Sequence, residues 1–190
     1  MKFIFDFDDV LFYNTALLKK HMYEALENAG VPYEKANKFY KESREKGFSM
    51  KKFIYELIEK ENIKTSKRNL YKKIMDASSD FAILETINLV KKLGKKNCYI
   101  VTEGDKSYQL DKIKRVGIRK LFSKIIVAHI SKKKIVENIC AKHKNEKVIF
   151  VDDKIKHFEE LDMKKCPNLK TILFDENGLK KLKAEINLSN

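Results

Sequence analysis

The chain has 190 residues, 43% of them apolar, which is enough for the core of one domain or of a domain with a sizeable insertion. No apolar run approaches the ~20 residues needed to cross a bilayer, and the amino-terminal stretch MKFIFDFDD turns acidic at once, unlike a secretory leader. Three cysteines (Cys98, Cys140, Cys166), odd in number and without a CxxC pair, argue against a disulfide framework and against zinc, so a soluble cytoplasmic protein is expected.

Lys and Arg number 41 against 27 Asp and Glu, a net charge of +14. Only Arg44, Arg68, Arg115 and Arg119 are arginines, the residue best suited to bidentate phosphate and base recognition. The lysines are spread along the chain on polar helix faces, not gathered in one basic arm. This argues against nucleic acid as the partner and is compatible with attracting small anions.

In chain order, residues 2–6 read as a buried strand. From about Thr15 to Ser79 the pattern is helical. TALLKKHMYEALENAG ends at Gly30 and PYEKANKFYKESREKG at Gly47; SMKKFIYELIEKENI and SKRNLYKKIMDAS each open on a Ser in N-cap position. The aromatic residues here (Tyr23, Tyr33, Phe39, Tyr40, Phe48, Phe53, Tyr55) fall at helical spacings and are expected to pack helix on helix. After Asp80 helices and strands alternate: AILETINLVKKLG, NCYIVT, SYQLDKIKRVG, KIIVAHI, KKKIVENICAKH, KVIFV and a last strand LKTILF. Short apolar runs between polar loops predict a parallel sheet buried on both faces. The expected organisation is α/β, a Rossmann-like sheet core from residues 1–13 and 81–190 with an inserted all-helical domain over 14–80. Order is expected up to the final NLSN.

Ligands of an open parallel sheet bind beyond the carboxyl ends of its strands. Those ends deliver Asp6, Asp8 and Asp9; Thr102, Glu103 and Asp105; Ser131 with Lys132, Lys133 and Lys134; and Asp152 with Asp153. Carboxylates in that number suit Mg²⁺, a hard cation that also takes substrate phosphate. The order and strand-end placement of these groups resembles the haloacid dehalogenase-like superfamily. DFDDV at 6–10 matches its first motif, IVTEGD its second, Lys132 opening a helix its third and FVDDK at 150–154 its fourth. The insertion lies between motifs one and two, where the small helical cap of one branch belongs.

The resemblance implies phosphoryl transfer through an aspartyl-phosphate. Asp6 would be the nucleophile, Asp8 the general acid and base, Thr102 a hydrogen-bond donor to the phosphoryl group and Lys132 its charge partner. Mg²⁺ would be held by the Asp6 carboxylate, the Asp8 backbone carbonyl and the fourth-motif acids, Asp153 first and Asp152 beside it. The lysine at 132, 133 or 134 is not fixed by spacing alone; Lys132 is preferred because Ile135, Val136 and Ile139 then follow at helical intervals. Dehalogenases of the superfamily lack an acid at the Asp8 position, so the resemblance favours a phosphatase acting on a small phosphorylated metabolite. A phosphomutase, or a basic RNA-binding protein on the same fold, is the alternative. Many relatives carry a further acid shortly after the fourth motif, where this chain has KIKHF. Asp9 is expected to shape a turn, Asp105 to cap a helix, Cys98 to pack in the core, and His21, His129, His143 and His157 to be satisfied or exposed. Arg44 and the EKGFSMKK turn are candidates for reading the leaving group.

Overall fold

The computed structural model describes residues 1–45 and 47–187. Lys46 in the EKGFSMKK turn and the last three residues of NLSN lie outside the described residues. Five strands, β1 (Lys2–Phe5), β2 (Cys98–Glu103), β3 (Lys124–Ala128), β4 (Val148–Asp152) and β5 (Leu169–Leu173), form one parallel sheet in the order β3-β2-β1-β4-β5. The order runs outward from β1 in one direction and then reverses, so the switch point lies between β1 and β4. Register is direct, with Phe5 opposite both Ile100 and Val151. The strand residues are apolar on both faces because both are covered. Ile4, Tyr99, Val101, Val148 and Phe150 share one cluster with Val136, Ile139 and Cys140 of helix α7 (Lys133–Lys142). Phe3 stacks beside Phe5, and Phe5 meets the edge of Phe122.

The chain separates into two compact units: residues 1–12, 82–103 and 118–190 hold the sheet, and residues 13–81 with 104–117 form a helical unit. Phe12 and Ala82 pair as an antiparallel bridge where the chain leaves the sheet unit and returns to it. The helical unit contains α1 (Lys19–Glu27), entered through a π-helical turn at Asn14–Leu18, then α2 (Tyr33–Glu45), α3 (Met50–Lys60) and α4 (Lys67–Asp76). Ser66 caps α4, its Oγ accepting from the Asn69 amide at 3.3 Å; Ser49 stands at the N-cap of α3 but makes no such bond. The aromatic residues pack as their spacing predicts, with Tyr40 and Phe48 both edge-on to neighbours and Phe39 against Phe53. Helix α6 (Lys106–Val116), which the sequence reading placed with the sheet core, groups with these helices. Its Arg115 pairs with Asp76, and its Asp111 accepts from the Tyr71 hydroxyl at 2.7 Å.

In the sheet unit α5 (Leu84–Leu93) follows the return crossing. The four-residue α8 (Lys156–Glu159) and α9 (Gly178–Asn187) were not read from the sequence. Helix α9 buries Leu182 and is fastened by Glu185, which pairs with Lys147 at 2.7 Å and with Lys170. Cys98, Cys140 and Cys166 are buried thiols in the sheet unit; burial pushes those of Cys98 and Cys140 up to about 12. Among the described residues no helix is long and apolar enough to cross a membrane.

The side chain of Phe150 is wholly buried in the sheet cluster, whereas Leu84 is 65% exposed. Phe150→Ala should cost about 3–5 kcal/mol and Leu84→Ala no more than about 0.5 kcal/mol. Urea denaturation monitored by circular dichroism tests both.

Candidate active site

The site is built at the carboxyl edge of β1 and β4, where the strand order reverses. Asp6 lies one residue past β1, but its backbone N–H still donates to the Val151 carbonyl at 2.9 Å, so the ladder fixes it in space. The chain then turns sharply. Asp9 adopts a left-handed φ of 58°, which Asp tolerates better than most residues, and its N–H donates to Phe12 O at 2.7 Å. Asp9 is thus the turn residue its position suggested.

Two donors converge on Asp6 Oδ1, the Phe7 amide at 2.7 Å and the Lys132 ammonium at 2.9 Å, which leaves Oδ2 the freer oxygen. Lys132 Nζ also reaches Asp152 Oδ2 at 2.7 Å, and the Lys132 side chain is 1% exposed. This answers which lysine faces inward: Lys133 is half-buried and Lys134 exposed. Burial works to lower the Lys132 pKa, but the adjoining Asp6 and Asp152 carboxylates outweigh it and hold the ammonium charged. For Asp152 burial is likewise outweighed, by the hydrogen bond from His157 and the charge of Lys132, and its pKa lies below the usual range. Asp6 is pushed up, chiefly by burial, with Asp152 and Asp8 adding to the effect and Lys132 opposing it.

Asp152 is saturated. Its Oδ1 accepts from the Lys154 amide at 3.0 Å, Oδ2 from Lys132, and both from His157 Nδ1 at 2.9 Å. Asp153 is the opposite case. Its Oδ1 is buried with no hydrogen-bond partner among the described residues, and Lys154 Nζ stands 4.0 Å away. Burial first, then the charges of Asp6, Asp152 and Asp9, raise the Asp153 pKa to about 7 against the pull of Lys154. Carboxylate oxygens of Asp6, Asp152 and Asp153 lie within 4.8 Å of one another. An all-oxygen donor set with one orphaned buried oxygen fits a hard divalent cation.

Asp8 is half-buried on the loop after Asp6, and its carboxylate is not part of this cluster. Thr102 is buried at the end of β2, two residues beyond Ile100, the partner of Phe5, and so belongs to the same sheet edge. Asp105 caps α6, accepting from the Tyr108 amide at 2.8 Å. Sequence reasoning missed the role of His157, which is 2% exposed and bonded to Asp152, with its Nε2 3.6 Å from Glu103 Oε2. The available signal was its place four residues after Asp153, one helical turn past the strand end.

The haloacid dehalogenase-like hydrolase family matches residues 3–164, which contain every residue of this site. The chain belongs to this family. Similar solved structures include a protein described as a haloacid dehalogenase-like hydrolase from Burkholderia xenovorans, 18% identical with a TM-score of 0.69, covering 93% of this chain and 86% of that one. A hydrolase of the family from Bacillus subtilis, described as bound to magnesium, is 15% identical with a TM-score of 0.56 over 98% of each chain. A protein described as a β-phosphoglucomutase from Thermotoga maritima is 18% identical with a TM-score of 0.57, covering 97% of this chain and 99% of that one. At these identities the likeness establishes a shared fold. None of the curated proteins compared is a significant match.

The raised Asp153 pKa has a definite sign in the metal-free protein. Between the ordinary 3.8 and about 7 the folded chain holds a proton that the unfolded chain has lost, so this group's contribution to stability falls as pH rises through that window. Asp153→Asn removes the titration. It should stabilise the metal-free protein by about 1–3 kcal/mol at pH 8 and by almost nothing at pH 4, as read by chemical denaturation in EDTA.

Proposed function

We propose that this hydrolase is a Mg²⁺-dependent phosphatase that cleaves a small phosphomonoester, of sugar phosphate or nucleoside monophosphate type, through an aspartyl-phosphate on Asp6. The observation that carries the reading is the buried Asp6 carboxylate, oriented through Oδ1 by Lys132 and the Phe7 amide within a cluster of three carboxylates. Asp6 and Asp153 would hold the cation, with Asp152 alongside engaged by its three donors and the Asp8 carbonyl as the further ligand the resemblance implies. Bound there, Mg²⁺ would supply charge neutralisation for the phosphoryl oxygens.

The remaining chemistry belongs to the chain. Asp6 attacks phosphorus in line, and the bond to the leaving oxygen breaks as Asp8 gives that oxygen a proton. Asp8 then takes a proton from water, which attacks the same phosphorus. The bond to Asp6 breaks, inorganic phosphate leaves, and the carboxylate is restored. Thr102 donates a hydrogen bond to a phosphoryl oxygen, and Lys132 offsets negative charge beside the nucleophile. An acid at Asp8 is what phosphoester cleavage requires and what dehalogenation in this family does without. The helical unit would act as a cap that admits small substrates and limits water during the first step. A cytoplasmic location belongs to the same reading.

Hydrolysis of p-nitrophenyl phosphate, followed with a panel of natural phosphomonoesters, tests the proposal. Release should require Mg²⁺, stop with EDTA, and fall at least about 1000-fold in Asp6→Asn, about the scale of removing a covalent nucleophile. Asp8→Asn should slow turnover by about 100-fold or more, the usual worth of a general acid. Mg²⁺-independent release, or equal rates in wild type and Asp6→Asn, would sink the reading. Phosphate passed to a second sugar hydroxyl, with no net release, would identify a mutase instead.

A further inference from the structure

His157 is buried among charged groups that the mechanism uses, yet the reaction assigns it no step. Its ring nitrogen Nδ1 lies 2.9 Å from both oxygens of Asp152, so it must carry the hydrogen and bridge the carboxylate edge. Asp152 does not need this donor to be satisfied, since the Lys154 amide already serves Oδ1 and Lys132 serves Oδ2. What a bridging donor adds is rotational: it pins the carboxylate about its Cβ–Cγ bond. That orientation decides where Oδ2 points, and Oδ2 holds the Lys132 ammonium that in turn reaches Asp6. On the far side of the ring Nε2 faces Glu103, the residue after Thr102, at 3.6 Å. The imidazole therefore stands between the ends of β2 and β4.

We infer that His157 is a positioning residue that sets the orientation of Asp152, and through it the placement of Lys132 against Asp6 and of the carboxylate cluster that receives the cation. It meets Asp152 as a hydrogen-bond donor. An acid would add another negative charge to a cluster that already holds three carboxylates; a donor steadies one of them instead. The inference rests on the phosphatase reading for its turnover readout and on metal binding for its independent one.

The test titrates Mg²⁺ alone into the metal-free protein by calorimetry, and measures kcat and KM with p-nitrophenyl phosphate at saturating Mg²⁺. His157→Asn puts an amide donor near the Nδ1 position, His157→Gln reaches toward Nε2, and His157→Leu has no donor. Loss of such a supporting partner typically costs about 10–100-fold in metal affinity or activity. His157→Leu should show losses of that order in Mg²⁺ affinity and in kcat, with KM changed by less than about threefold, and His157→Asn should recover most of both. If His157→Leu fails to fold, Asn should still exceed Gln by roughly tenfold in both readouts. Unchanged Mg²⁺ affinity in His157→Leu, or equal defects in folded Asn and Gln variants, would overturn the inference. Wild-type protein that binds Mg²⁺ but cleaves no phosphoester overturns the phosphatase reading and leaves the calorimetry to decide the role of His157. Wild-type protein that binds no Mg²⁺ overturns both.

Discussion

An ammonium and two carboxylates sit almost wholly out of water at the carboxyl edge of the sheet, and the rest of that edge is arranged around their mutual need. Removing either partner would strand a buried charge, at a cost of about 3–5 kcal/mol for a pair of this kind. Lys132 meets Asp6 and Asp152 together because β1 and β4 are neighbours in the sheet and the helix that follows β3 starts at the same edge. No two of these three groups are close in sequence. Only the parallel order with β1 at its middle brings them together, so the electrostatics and the topology stabilise one another.

The same crowding divides labour among the acids. Asp152, fully engaged by donors, behaves as part of the scaffold, while Asp153 next to it keeps a buried oxygen with no hydrogen-bond partner among the described residues. Adjacent residues on one strand end thereby acquire opposite character. Burial raises the cost of ionising both, and the difference comes from which one the lysine and histidine reach.

Much of this was legible in the sequence because its signals are local. Apolar runs of three or four residues ending in Asp, Thr or paired Asp mark strands whose carboxyl ends carry chemistry, and the order of those ends carries the resemblance. Lys132 could be preferred over its neighbours because Ile135, Val136 and Ile139 set the helix phase that turns its own side chain inward. The grouping of α6 with the helical unit was not legible, since its ties run through Arg115 and Asp111 to residues tens of positions away. Helix α8, at four residues, has too little length for a period, and α9 gains its anchorage from Glu185 bridging Lys170 of β5 and Lys147 just before β4. The part played by His157 is invisible in one dimension for a similar reason. A lone histidine declares nothing until the carboxylate it bridges is fixed by two strands and a lysine.

The three buried thiols have a consequence for how the molecule is observed. A thiol reacts as its thiolate, and burial both withholds that form from Cys98 and Cys140 and keeps reagents away. All three lie in the sheet unit and none in the helical unit. Alkylation of the native protein would therefore proceed only through openings of the sheet unit and would ignore motions confined to the helical one. The chain carries its own chemical clock for the unfolding of one half, with no label to be added and no residue of the active site disturbed.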